Sequence, residues 1–381
     1  MTSQSYIQPD FFTKCLYKLR VNPATEITTP STDAWILNEI DYDNEKQAKF
    51  LKVKSGLLAG YCYPDADAFH FQVASDFIAW LFCFDDLTDG YTENEAGSLR
   101  DLIMPCIRDP DGCGEQTLPV CRLAKHLFSR YHKVAGPRCA QRFVDAMSLF
   151  VDAVIQQAVD RNDDIIPDMQ TYIMLRRESS GLRPCLYLGE FVAGINLPSE
   201  VAEHPLFRSM ENVANDFCSW TNDIFSYNKE QSVGDSHNFV AVIMKDRGLD
   251  LQAAMDLAGE LCLDCIKTFE DNRKALPSWG NDIDNQVNMY IQCLQDWFIG
   301  SLNWSFECNR YFGAEGGAIR QHRIVELAPQ RKWTPASRNA MWRALVVCSA
   351  RAEGGEAGKE ESCCSLVHRP PSSPTPPLDL D

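Results

Sequence analysis

The chain has 381 residues, 45% of them hydrophobic and 23% charged, enough to bury a sizeable core in one large globular domain or two modest ones. A formal charge of −17 with no basic stripe excludes a nucleic-acid partner, whose phosphates are met by clustered Lys and Arg. The sixteen Cys are scattered, often inside apolar runs, and with the seven His they form no zinc-ligand spacing, so they read as small reduced core residues.

Met1 to Lys14 is polar and lacks the basic start and apolar run of a signal peptide, and no stretch reaches the roughly 18 apolar residues of a membrane span. A cytoplasmic protein without stable membrane insertion is expected. From about Asp33 to Phe312 apolar residues recur at three- and four-residue intervals, which predicts an all-α chain. Helices are expected near 34–52, 68–88, 96–107, 119–133, 137–161, 168–177, 184–194, 198–230, 236–247, 249–274 and 280–308. Breakers such as Tyr63-Pro64, Asp109-Pro110-Asp111-Gly112, Gly136-Pro137 and Leu276-Pro277 separate them. The stretch Phe69 to Phe84 is apolar on more than one face, as in a helix surrounded by others, and implies a single bundle enclosing a cavity. After about Pro329 the chain turns Gly/Glu-rich and then Pro/Ser-rich. A folded domain over 1–328 is therefore expected, followed by a disordered extension over 329–381 in which 336–350 is helix-capable.

Asp85-Asp86-Leu87-Thr88-Asp89 closes the apolar run Phe77 to Phe84. Positions four apart lie about 40° apart around a helix, so Asp85 and Asp89 project from one face. Carboxylates held that close repel unless a cation sits between them, and Mg²⁺ prefers such oxygens. An acidic helix end in water accounts for this short pattern equally well. The second constellation is Asn222-Asp223-Ile224-Phe225-Ser226-Tyr227-Asn228-Lys229-Glu230, with Asn222, Ser226 and Glu230 at i, i+4 and i+8. They span about 80° of one face and about 12 Å of length. Helical side chains lean toward the N-terminus, so Glu230 reaches back toward Ser226. An amide, a hydroxyl and a carboxylate together suit Mg²⁺, which completes its octahedron with phosphate oxygens and water. The alternative is a polar face in solvent.

Cations with the chemistry to meet a diphosphate are Arg176, ahead of Arg177-Glu178-Ser179-Ser180-Gly181, then Lys229 inside the second motif and Arg310 beside Tyr311. Arg offers a planar fork for phosphate and Tyr a hydrogen-bond donor. Each alone reads as an ordinary surface residue. Phe82, Phe225 and Trp304 are the aromatics nearest these motifs; most aromatics at helical spacing are core, while any that line a dry cavity stabilise a cation by about 2 kcal/mol.

These motifs, with Trp304 to Tyr311, stand in the order and at spacings that resemble the fungal-type class I terpene synthases, in particular the sesquiterpene synthases, over roughly 15–325. The resemblance implies a bundle of antiparallel helices around a deep apolar cavity with both metal motifs at its mouth. It implies Mg²⁺, three ions, held by Asp85 directly, by Asp86 and Asp89 in support, and by Asn222, Ser226 and Glu230. Arg176 matches the family's diphosphate-sensing arginine, while Lys229, Arg310 and Tyr311 match further diphosphate contacts; Arg176, Arg310 and Tyr311 are the catalytic candidates. Phe82, Ser180, Phe225 and Trp304 are the pocket-lining candidates. The implied activity is ionisation of farnesyl diphosphate, followed by cyclisation to a hydrocarbon or alcohol, in a monomer or homodimer. Geranyl or geranylgeranyl diphosphate as substrate, and a non-catalytic prenyl-lipid-binding protein, are the alternatives. A chain-elongating prenyl transferase is disfavoured because no second Asp-Asp-x-x-Asp exists.

Overall fold

The computed structural model describes residues 4–88, 91, 93–162 and 166–330. The helices, in chain order, are α1 (Thr25–Glu39), α2 (Asn44–Val53), α3 (Ser55–Cys62), α4 (Ala68–Thr88), α5 (Glu93–Arg108), α6 (Pro119–His132), α7 (Pro137–Asn162) and α8 (Met169–Ser179). They continue with α9 (Leu182–Val192), α10 (Ser199–Ala202), α11 (Pro205–Val233), α12 (Phe239–Arg247), α13 (Leu251–Ala275), α14 (Asn281–Glu307) and α15 (Gly316–His322). The all-α class expected from periodicity holds: the strands among the described residues are a single short antiparallel pair, β1 (Ser5–Ile7) with β2 (Ile324–Glu326).

The helix expected over 34–52 is in fact two, with α3 following. Asp43 has an extended backbone and its carboxylate accepts from Lys46 N at 2.8 Å, so it caps α2 instead of continuing α1. Helix α1 starts well before residue 34 although Pro30 lies inside it. Its start is pinned by the buried Asn22, whose amide donates to Tyr63 O at 3.0 Å and Ala66 O at 2.8 Å and accepts from Ala24 N. The helix expected over 198–230 is likewise divided, because Pro205 opens α11 at its first turn, where a missing N–H costs nothing, and His204 Nδ1 accepts from Leu206 N.

Helix α4 is buried on several sides, through Phe71, Phe77, Ile78, Trp80 and Phe84, as its sequence suggested. Helices α3, α4, α11 and α14 form the centre: α3 packs on α4 and α14, and α11 on α13, α14, α8, α9 and α12. Carboxylates carried into this interior are met by guanidinium groups, Asp76 by Arg130 at 2.8 Å, Asp216 by Arg177 at 2.6 Å and Asp296 by Arg20 at 2.6 Å. Removing either partner of such a pair leaves an uncompensated buried charge. The described cysteines form no disulfide, and all but Cys113 are buried. No helix of the described residues is long and apolar enough to cross a membrane.

The two strands join the ends of the described chain across the outer side of α11. Asn228 Nδ2 donates to Glu326 O at 2.9 Å, Ala328 N donates to Asn228 Oδ1 at 2.8 Å, and Gln231 Nε2 donates to Ala328 O at 2.8 Å. Gln252 on α13 holds both the N–H and the carbonyl of Ile7. The expected extension over 329–381, with its helix-capable 336–350, lies from residue 331 onward outside the described residues.

Candidate active site

Helix α4 carries its apolar face into the core as far as Phe84 and then presents Asp85 and Asp86, both half-buried, at its C-terminal end. That end is the negative pole of the helix, so carboxylates gain nothing from the backbone dipole there and depend on cations. Arg310 Nη2 stands 3.7 Å from Asp85 Oδ2, and Lys49 Nζ stands 3.3 Å from Asp86 Oδ1. Asp89 lies outside the described residues.

On α11, Asn222, Ser226 and Glu230 share one face. Asn222 is the junction: its Oδ1 accepts from Arg176 Nη2 at 3.0 Å and its Nδ2 donates to the Tyr311 hydroxyl at 2.6 Å. Arg176 also donates to Asp223 Oδ1 at 2.7 Å, while Tyr172 OH and Phe239 N donate to Asp223 Oδ2 at 2.6 and 3.2 Å. The buried Nε–H of Arg176 has no hydrogen-bond partner among the described residues. A guanidinium with an orphaned buried donor is poised for an anion. Arg177, its neighbour about 100° round the helix, is spent on Asp216 instead.

Helices α8 and α9 are set at an angle by Gly181, whose φ of +69° suits glycine and where a Cβ would stand 3.1 Å from Leu81 Cδ2. Ser180, just before it, donates to Asn215 Oδ1 at 3.1 Å and accepts from Leu182 N at 3.2 Å. Phe82 and Trp304 lie against each other, ring centroids 5.7 Å apart, with the Arg310 guanidinium 5.3 Å above Phe82 and Tyr311 edge-on to Trp304. Trp304 is fixed by donation to Val53 O at 2.8 Å. Phe225 is enclosed by Phe11, Phe306 and Phe312.

Electrostatics mark the same place. Burial, then Asp235 and Asp223, push the Glu230 carboxyl up to about 7, against donors from Asn238 and Ser226 that pull it back. Burial works against the Arg176 charge, but Asp223 outweighs it and raises its pKa. Burial raises the Asp223 carboxyl, against the Arg176 charge and the donors Tyr172 OH and Phe239 N, which pull it back. Lys229 is exposed, and desolvation, then Arg310 and Lys49, lower its pKa. Burial keeps the Tyr311 phenol protonated; because its oxygen accepts from Asn222, its proton is available to another acceptor.

Three His, Cys, Asp or Glu side chains do not converge into a cage anywhere among the described residues. The oxygen donors are instead divided between the end of α4 and one face of α11, and the latter set includes an amide and a hydroxyl. Such oxygens, with a half-buried carboxylate destabilised by its neighbours, fit a hard divalent cation. A concavity at the turn between α5 and α6, lined by Asp111, Glu115, Arg122, Lys125 and His126, lies outside this constellation and mixes both charges.

Lys49, Tyr172 and Asn238 of the network carry no signal in the motif reading, and Asp223, which lies inside the second motif, has no role there. Tyr172 precedes Arg176 by one helical turn, and Asp223 stands about 100° round α11 from Asn222, so both belong to the seam between helices. Asn238 is recognisable as a cap before the apolar run Phe239 to Ile243, though its reach to Glu230 is not.

Residues 76–268, which hold both acidic constellations, match the family described as terpene synthase family 2, C-terminal metal binding. The chain is 40% identical over 321 residues to Sesquiterpene synthase 3 of Postia placenta, covering 84% of this chain and 88% of the relative. It is 39% identical over 330 residues to the alpha-muurolene synthase of Coprinopsis cinerea, covering 85% and 78%. Among solved structures, that of an α-eudesmol synthase superposes with a TM-score of 0.70 at 19% identity, over 77% of this chain and 97% of the other. The germacradien-4-ol synthase of Streptomyces citricolor gives 0.68 at 21% identity, over 76% and 96%. The bundle is the terpene synthase fold, and the chain belongs to the terpene synthase family, as a class I enzyme related to the sesquiterpene synthases.

Proposed function

We propose that the chain converts farnesyl diphosphate to a sesquiterpene at the mouth formed by the ends of α4 and α11, with magnesium as the metal. The observation that carries this reading is one chain of contacts. Asp85 faces Arg310 at 3.7 Å, the adjacent Tyr311 bonds Asn222 at 2.6 Å, and Asn222 bonds Arg176 at 3.0 Å. Carboxylates for metal and cations for diphosphate thus alternate along one chain of contacts. The choice of a fifteen-carbon substrate rests on the relatives, which are named as sesquiterpene synthases.

Asp85 and Asp86 on one side, with Asp89 by its place in the motif, and Asn222, Ser226 and Glu230 on the other would hold the Mg²⁺. When bound, the metal supplies positive charge that neutralises the diphosphate as a leaving group. Arg176, Lys229 and Arg310 add fixed positive charge around the same leaving group, and Tyr311 has a proton to donate to it. Asn222 Oδ1 accepts from Arg176 Nη2 and keeps a second lone pair that would serve a metal, while the Arg176 Nε–H stays available to diphosphate. The allylic C–O bond then breaks with both electrons leaving on diphosphate. An internal double bond attacks the cation, and loss of a proton or capture of water ends the reaction. Phe82 and Trp304 supply π-faces beside the mouth, and the surrounding apolar helices exclude water that would quench the cation early. Purified protein incubated with Mg²⁺ and farnesyl diphosphate should release a fifteen-carbon product; no product in the presence of metal would reject the proposal.

A further inference from the structure

Asn238 lies at the start of α12, is 1% exposed, and makes three hydrogen bonds of two kinds. Its Oδ1 accepts from Val240 N at 2.9 Å, which is the cap of α12. Its Nδ2 donates to Asp223 O at 2.7 Å and to Glu230 Oε2 at 2.8 Å. Capping needs only an acceptor, and Ser, Thr or Asp would serve as well. The donor side of the amide is therefore not explained by the cap. It is used on two points of α11, the backbone of the residue paired with Arg176 and one carboxylate oxygen of Glu230.

We propose that Asn238 is a positioning residue for the Glu230 carboxylate, tying it through one rigid amide to the helix turn that carries the Arg176–Asp223 pair. The inference rests on the reading of Glu230 as a metal-binding group. A half-buried carboxylate with few donors would swing toward any available hydrogen. Holding it at Oε2 fixes its plane and keeps its second oxygen for a cation. Asp223 reinforces the arrangement: its Oδ2 accepts from Phe239 N, the residue after Asn238, so the start of α12 is held to Asp223 through both backbone and side chain. Partners that orient a metal-binding side chain typically contribute about 10- to 100-fold to metal affinity.

The test uses calorimetry of the full chain with Mg²⁺ and inorganic diphosphate. It compares Asn238→Ser, which keeps a capping acceptor but lacks the amide donor, with Glu230→Ala and with Asp250→Ala. Asp250 caps α13 through Ala253 N at 2.9 Å and touches none of this network, so its variant reports cap loss alone. The expected result is affinity for Mg²⁺ and diphosphate about 10-fold weaker in Asn238→Ser and unchanged in Asp250→Ala. In turnover, the Mg²⁺ concentration for half-maximal rate should rise while kcat at saturating Mg²⁺ stays within about threefold, since mass action compensates a misplaced ligand. Wild-type affinity in Asn238→Ser with weakened binding in Glu230→Ala overturns the positioning role alone. Wild-type affinity in Glu230→Ala overturns the metal reading itself. Equal weakening in Asp250→Ala shows a general loss of stability and also overturns the role. Should Asn238→Ser not fold, Asn238→Asp, which keeps the cap and turns the donor into an acceptor, gives the same comparison.

Discussion

Asn222 and Tyr311, 89 residues apart, share a 2.6 Å hydrogen bond in which the amide donates to the phenol. It fastens the polar face of α11 to the segment after α14, and so sets Arg310 beside Asp85. Hydrogen bonds thus join Arg176, Asn222 and Tyr311, candidates from three distant parts of the chain, and an ion pair at 3.7 Å carries the connection on to Asp85.

Replacing Asn222 or Glu230 by Ala should cut kcat by at least about 100-fold, since a ligand contributes no less than a residue that merely orients one. Thermal stability should hold, and in Glu230→Ala it should rise, because a carboxylate pushed up to about 7 by burial and by Asp235 and Asp223 is a cost to the fold. Steady-state kinetics beside a melting curve decide it: wild-type rate in a folded variant would reduce the triad to a polar face.

Arg176→Ala and Arg310→Ala should both lose turnover but differ in stability. The first strands the buried Asp223 carboxylate and should cost about 3–5 kcal/mol in urea unfolding. The second breaks a looser pair with Asp85, which is 41% exposed, and should cost about 0–1 kcal/mol. Equal destabilisation by the two would contradict the separate placements.

Glu211 is buried beside the Tyr290 hydroxyl, which donates to it at 2.8 Å, and is pushed up to about 7, first by burial and also by Glu190, against Arg183 and Arg142. Its folded pKa lies above its unfolded one, so its contribution is complete at acid pH and is lost as pH rises through about 7. Glu211→Gln keeps the acceptor for Tyr290 and removes the charge. It should match the wild type below about pH 4, under the free carboxyl's pKa, and be more stable by about 1–3 kcal/mol at pH 8. A difference independent of pH would show that Glu211 does not titrate in the folded chain.

A chain ending at Pro329 keeps β2 and the bonds from Asn228 and Gln231, and should melt within a few degrees of the full chain with the same products. One ending at Arg323 loses β2, the partner of β1 and the strap over α11, and should melt well below it. Failure of the first to fold would give the segment after Pro329 a structural role.

The oxygen-rich face of α11 and the run of central helices are legible in the sequence because each is local. A spacing of four places oxygens on one face, and an all-round apolar stretch such as Phe71 to Phe84 needs neighbours on every side. What the sequence hid depends on distant partners. The periodicity starts the first helix near residue 34, whereas Asn22, bonded to Tyr63 and Ala66, pins the start of α1 well before it. Asp223 reads as part of a metal motif, yet faces Arg176 and Tyr172 in the seam with α8. Three-residue strands at opposite ends of the chain, Ser5–Ile7 and Ile324–Glu326, are too short for any periodicity to announce their pairing.

The central claim is tested most directly by incubating the purified full chain with farnesyl, geranyl and geranylgeranyl diphosphates in parallel, with Mg²⁺ and after exhaustive EDTA chelation, and analysing the extracts by gas chromatography. The expected result is a fifteen-carbon hydrocarbon or alcohol from farnesyl diphosphate as the dominant product, abolished by EDTA and restored by Mg²⁺. Undiminished turnover after chelation, or a preference for the ten- or twenty-carbon substrate, would contradict it.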